Sequence, residues 1–205
     1  MRVSLIDAGK RFNRDWIFRH FSYAFAADQS YAIIGPNGSG KSTLLQVLSG
    51  SMLLNEGKCN WSMVNGDSIA DKIYSYVSIC APYLEVVEEM TLNEFLNFHS
   101  GFKPFLSGFT SEKIIELIRL ENAADKQIRY FSSGMKQRVK LAQAIFSNTA
   151  AVLLDEPCTN FDKAGYELYY QLINDYCKKR LVIVSSNDEL EYKFCEIKIN
   201  ILGYK

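Results

Sequence analysis

The stretch GPNGSGKST contains Gly35-x4-Gly40-Lys41-Ser42. Glycines let successive backbone N–H groups turn inward around an anion. A helix starting at such a loop adds partial positive charge. Lys41 supplies a full charge for terminal phosphates, and Ser42 a hydroxyl for Mg²⁺. The candidate phosphate-binding residues are therefore Gly35, Pro36, Asn37, Gly38, Ser39, Gly40, Lys41, Ser42 and Thr43. A second constellation, AVLLDEP, places Asp155 and Glu156 after four apolar residues. Two adjacent carboxylates beside a phosphate site suit two tasks. Asp155 would hold Mg²⁺ through water, and Glu156 would polarise an attacking water as general base. A third run, VIVSSND, carries the neutral amide Asn187 just after its apolar residues.

The elements around these residues must set them at one edge. Tyr31 to Ile34 reads as a strand before the glycine loop, and Leu44, Leu45, Val47 and Leu48 give the helix after it. Ala151 to Leu154 and Leu181 to Ser185 are unbroken apolar or β-branched runs, as expected of strands buried on both faces. A fourth strand is expected at Ser75–Ile79. Thr91-x-x-Glu94 forms a capping box before Leu92, Phe95, Leu96 and His99, and a second helix is expected over Ser111–Leu120 with Ile114, Ile115, Leu117 and Ile118 inside. His99 has no evident charged partner and reads as structural. FSSGMKQRVKLAQAIF offers Ser132 and Ser133 as helix caps before an amphipathic helix with Val139, Leu141, Ala142 and Ile145 inside.

The chain has 205 residues, 48% hydrophobic and 22% charged, which suits one domain with a substantial core. Lys+Arg and Asp+Glu balance at 23 each, which argues against a nucleic-acid partner. No apolar run approaches the ~18 residues that span a bilayer. MRVSLIDAGKRF lacks the apolar stretch of a signal peptide. Five cysteines without a CxxC pair read as reduced thiols in a cytosolic protein.

GPNGSGKST, FSSGM with Lys136-Gln137-Arg138, and VLLDEP together resemble the ABC ATPase family, the nucleotide-binding subunits of ABC transporters. The resemblance covers nearly the whole chain. It implies an α/β fold: a P-loop NTPase (RecA-like) core, an antiparallel β-subdomain near the N-terminus and a short helical subdomain at about 91–130, all within a single domain, 1–205. It implies MgATP as ligand, with a signature site for the partner protomer's ATP at Ser132, Ser133, Gly134 and Met135. Ser133 and Met135 depart from the family's usual LSGGQ. Thr159-Asn160-Phe161-Asp162 matches the D-loop, Asp162 being the matched residue, and Phe12 matches the aromatic that stacks on adenine, with Trp16 a competitor.

Two departures stand out. The family's switch histidine is replaced by Asn187, which could donate to the γ-phosphate or cap the helix starting at Asp188. The family's Q-loop glutamine is missing: Ala81 or Pro82 sits there, and Glu85 is either a metal-side substitute or a solvated loop acid.

The resemblance implies an ATP-hydrolysing subunit that powers a separate transmembrane subunit. It would pair as a homodimer or paralogue dimer on ATP binding, at the cytoplasmic face of the inner or plasma membrane. The length is similar to compact bacterial export ATPases such as the cytochrome c biogenesis type. A soluble ABC-type ATPase without a transport role, or an ATP-gated clamp of slow turnover, are the alternatives.

Overall fold

Every apolar run that reads as a strand buried on both faces lies in one parallel sheet. The structure, a computed structural model, describes residues 1–63 and 65–205. Its strands are β1 (Arg2–Phe12), β2 (Asp15–Ala26), β3 (Ser30–Ile34), β4 (Glu56–Ser62), β5 (Val77–Cys80), β6 (Ala151–Asp155), β7 (Leu181–Ser186) and β8 (Ile197–Asn200). The helices are α1 (Lys41–Leu48), α2 (Ile73–Tyr76), α3 (Leu92–Phe102), α4 (Ser111–Leu117), α5 (Ser133–Phe146), α6 (Lys163–Tyr176) and α7 (Glu189–Tyr192).

Among the described residues, five strands form a parallel sheet in the order β5-β6-β7-β3-β8, and three form an antiparallel sheet in the order β2-β1-β4. Side chains alternate across a strand, and the two cores follow that alternation. Ala32, Val152, Leu154, Val182 and Val184 enter the core shared with α3, α4, α5 and α6. Tyr31, Ile33, Leu153, Leu181 and Ile183 enter the other, shared with α1 and the antiparallel sheet. Burial on both faces is why these runs lack a polar alternation.

Two expected boundaries shift. The strand expected at Ser75–Ile79 begins at Val77, because the β6 ladder starts at the Val77↔Ala151 pair. Ile73–Tyr76, with no strand partner, closes instead into one helical turn. The helix expected over Ser111–Leu120 ends at Leu117. Arg119 takes φ +58, and the Leu120 N–H reaches back to Ile115 O at 3.1 Å, a left-handed helix stop. Leu117 is only partly buried, while Ile114, Ile115 and Ile118 are fully inside. The capping box at Thr91 and Glu94 forms in both directions. His99 is buried against Ser147, 2.8 Å from its hydroxyl, and burial lowers its pKa to about 4.

Candidate functional site

The loop after β3 sits where β3 meets its two parallel neighbours, β7 and β8. Ligands of such sheets collect at the carboxyl ends of the strands. Gly38 takes φ +74 and Gly40 φ +103, both left-handed. At Gly40 a Cβ would lie 2.4 Å from Ile17 Cγ2, so only glycine lets β2 close over the loop. α1 starts at Lys41, and its ammonium donates to the carbonyls of Gly35 (3.0 Å) and Pro36 (3.2 Å). The cation is thus held over the loop by the loop's own backbone.

Asp155 ends β6 beside Ser185 on β7. It is 1% exposed, and its Oδ1 has no hydrogen-bond partner. Burial pushes its pKa up, while the hydroxyls of Ser42 and Ser185 and the charge of Lys41 draw it down. A buried acceptor without a donor next to a serine hydroxyl suits a hard cation. Mg²⁺ takes one or two protein oxygens and completes its shell with phosphate and water. Asp155 and Ser42 fit it.

Glu156 takes φ +44, rare for a residue with a side chain. Its N–H donates to Ser185 O at 2.9 Å, and its carbonyl accepts from the Thr159 hydroxyl at 2.8 Å. This turn sends Glu156 into a cleft of about 200 Å³ that it lines with Ile17, Asn37, Gly38, Gly40, Lys41, Ser42 and Thr43. Sequence reading missed Ile17. Another cleft, of about 170 Å³, opens near the starts of β3 and β7, beside Ser30 and Val182. It lies at the opposite strand ends from the loops.

Asn187 follows β7, is exposed, and donates through Nδ2 to Asn37 Oδ1 at 3.1 Å, so it faces the glycine loop. The alternative role as helix cap is overturned. Asp188 caps α7, accepting from the Leu190 N–H at 2.9 Å. Phe12 ends β1, is 47% exposed, and lies outside the cleft lining. Trp16 carries the guanidiniums of Arg19 (4.5 Å) and Arg11 (5.6 Å) over its ring. Phe12 carries a cation as well, the Lys10 ammonium at 5.3 Å, so ring occupancy does not choose between the two aromatics.

Of the two serines expected as caps, only Ser132 caps α5, accepting from the Met135 N–H at 3.3 Å; Ser133 is the first helical residue. Both are exposed, and a Cβ on Gly134 would sit 3.2 Å from Asn160 O. The signature segment and the D-loop segment therefore touch within one chain. Asp162 caps α6, accepting from the Gly165 N–H at 2.8 Å. Glu85 is exposed and lies outside the cleft lining, which is the solvated alternative. Tyr83, also outside the cleft lining, stands near Gln46 of α1 and within electrostatic reach of Asp155, and burial raises its pKa.

A parallel sheet with this loop, lysine and acidic strand end defines a P-loop NTPase. The sequence model of the ABC transporter family matches residues 18–159, and the chain belongs to that family. It is accordingly an ATPase of the ABC class. The uncharacterized ABC transporter ATP-binding protein YybJ of Bacillus subtilis is 27% identical over 203 residues, which cover 97% of this chain and 92% of that protein. YhcH of the same species is 30% identical over 197 residues, 90% of this chain and 61% of that protein. This chain spans 37% of the arabinose import protein AraG of Yersinia pestis, at 28% identity over 196 residues and 91% of its own length. The fold matches the solved dimeric ABC cassette MJ0796 with TM-score 0.81 and 20% identity, over 97% of this chain and 94% of that one.

Proposed function

We propose that the chain binds MgATP between the 35–43 loop and the Asp155-Glu156 strand end, hydrolyses it, and drives a separate transmembrane subunit. The carrying observation is that Lys41, Ser42 and Glu156 line one cleft while the unpartnered Asp155 oxygen lies beside Ser42. When bound, Mg²⁺ would neutralise phosphate charge. Asp155 and Ser42 hold it. The loop N–H groups and Lys41 orient the phosphates in line with a water. Glu156 accepts that water's proton at its carboxylate, and Asn187 donates an amide N–H toward the γ-phosphate. Phe12 stacks on adenine.

Two copies, or this chain and a paralogue, close head to tail. Each presents Ser132, Ser133, Gly134 and Met135 to the other's ATP, with Asp162 at the crossing. The exposed serines at the α5 N-terminus support this. Among the described residues no helix is long and apolar enough to cross a membrane. The cytoplasmic face of the membrane, as a peripheral subunit, is the location that fits a separate membrane partner. A slow ATP-gated clamp is the second reading, favoured by the neutral Asn187 at the phosphate loop.

The test is calorimetric titration with MgATP. Lys41→Ala should abolish binding, because the loop loses its one cationic side chain. Parental affinity in that variant would refute the site.

A further inference from the structure

We propose that Gln137 and Glu191 are positioning residues for hydrolysis, clamping the single peptide group between Pro157 and Cys158 and so fixing the turn that carries Glu156. Gln137 Nε2 donates to Pro157 O at 2.7 Å. The Cys158 N–H donates to Glu191 Oε1 at 2.8 Å. These are the two ends of one rigid plane. Gripping both sets its rotation, and with it the direction in which Glu156 leaves the turn. Both side chains are 4% exposed, so solvent does not compete for either bond.

Several observations point to position rather than to general packing. Glu156 holds φ +44, a conformation that persists only when its surroundings over-determine it. Glu191 is an acid buried near the carboxylates of Asp188 and Glu156, an unfavourable neighbourhood that the Ser186 hydroxyl and the Cys158 N–H offset only in part. Its Oε2 has no partner, while its backbone carbonyl is fixed by the Tyr169 hydroxyl at 2.8 Å. The two clamps also have informative origins. Gln137 projects from α5, whose first turn is the signature segment. Glu191 projects from α7, which follows Asn187 directly. One peptide plane therefore joins the signature helix, the Glu156 turn and the Asn187 segment. Closure on a partner's nucleotide, or contact of Asn187 with phosphate, would be felt at the base through this plane.

The inference rests on Glu156 acting as general base, and the test keeps the two apart. The full chain is assayed as Gln137→Met, which keeps length but cannot donate, and as Glu191→Met, which keeps length but cannot accept. Glu191→Gln retains an acceptor oxygen, and Glu156→Gln is the control. Steady-state hydrolysis at saturating MgATP is set beside ATP affinity from calorimetry. Each Met variant should lose about tenfold in turnover, the scale of one hydrogen bond expressed in a rate. Affinity should stay within about threefold, which marks a loss felt after binding. The double variant should fall little below either single, because the same plane is released, instead of the roughly hundredfold of independent sites. Glu191→Gln should restore turnover to within about threefold of the parent.

Parental turnover in both Met variants, multiplying losses, or an affinity loss equal to the rate loss overturns the clamp. That failure reads as an inactive Glu156→Gln beside active Met variants. An active Glu156→Gln refutes the base assignment instead. If Gln137→Met does not fold, Gln137→Asn, whose amide stops short of Pro157, gives the same reading.

Discussion

Nδ2 of Asn187 donates to Oδ1 of Asn37 at 3.1 Å, so the residue in the switch-histidine position already touches the phosphate loop. Asp188, one residue later, carries the helix cap. The two roles are therefore separable. Asn187→Ala should lower turnover by about tenfold, with melting temperature unchanged. Asn187→His should retain turnover, since an imidazole also offers an N–H donor. Steady-state hydrolysis and thermal melting on both variants check this. A destabilised Ala variant with normal turnover would refute it.

Gly40 carries two constraints at once, φ +103 and the 2.4 Å overlap that a Cβ would make with Ile17. Gly40→Ala should cost about 2–4 kcal/mol from strain and overlap together. That lowers the melting temperature by roughly 2–4 °C per kcal/mol for a chain of this size. Adding Ile17→Ala relieves the overlap and leaves the strain, so recovery should be partial. Full recovery would show that sterics alone demand glycine.

The pair Glu156→Gln and Ser132→Arg tests assembly. The first should bind ATP without hydrolysing it, so a dimer accumulates on a sizing column with saturating ATP. The second sets bulk and charge at the cap of α5 and should abolish that dimer. A monomeric Glu156→Gln would exclude nucleotide-driven homodimers and leave a paralogue or membrane partner.

Burial pushes the Glu191 pKa up from 4.5 to about 7, with Asp188 and Glu156 adding to the rise. The folded state thus keeps a proton that the unfolded chain has lost above pH 4.5. Stability from this group is complete below that pH and falls away as pH rises through about 7, by up to about 3 kcal/mol. Glu191→Gln removes the titration, so its stability relative to the parent should rise from pH ~5 to pH ~8. Denaturant unfolding at the two pH values measures it. His99, held low at about 4, acts in the opposite direction and is common to both proteins.

The glycine loop, the acidic strand end and the Ser132 cap of α5 were legible because each is written in one contiguous stretch. Gly40-Lys41 and Asp155-Glu156 need only their own flanks to be read as loop-to-helix and strand-to-turn. Ile17 was not legible. The β1–β2 ladder shifts register three times between Leu5 and Arg11, so alternation along β2 does not tell which side chain reaches the loop. The Gln137 and Glu191 contacts join positions far apart in sequence and become visible only when α5 and α7 are folded against one turn. The boundary at Val77 depended on where β6 begins, which no local pattern around Ser75 records.

Arg180 is buried at the far end of α5 from Ser132 without an acidic partner among its contacts. It donates instead to the carbonyls of Thr149 (2.8 Å), Ser147 (2.9 Å) and Ile145. Mechanically, α5 is a rod bedded along one face in the core and anchored at its far end by this guanidinium. Measured from Ile145, the Gln137 position lies about 12 Å along the axis and Ser132 about 20 Å. For a rigid rod pivoting at that anchor, a sideways push on the signature end arrives at the Pro157 carbonyl reduced to roughly three-fifths, and in the same direction. With the guanidinium at the base of the rod as its fulcrum, the stiffness of that anchorage would set how much of a push on Ser132 reaches the turn that carries Glu156.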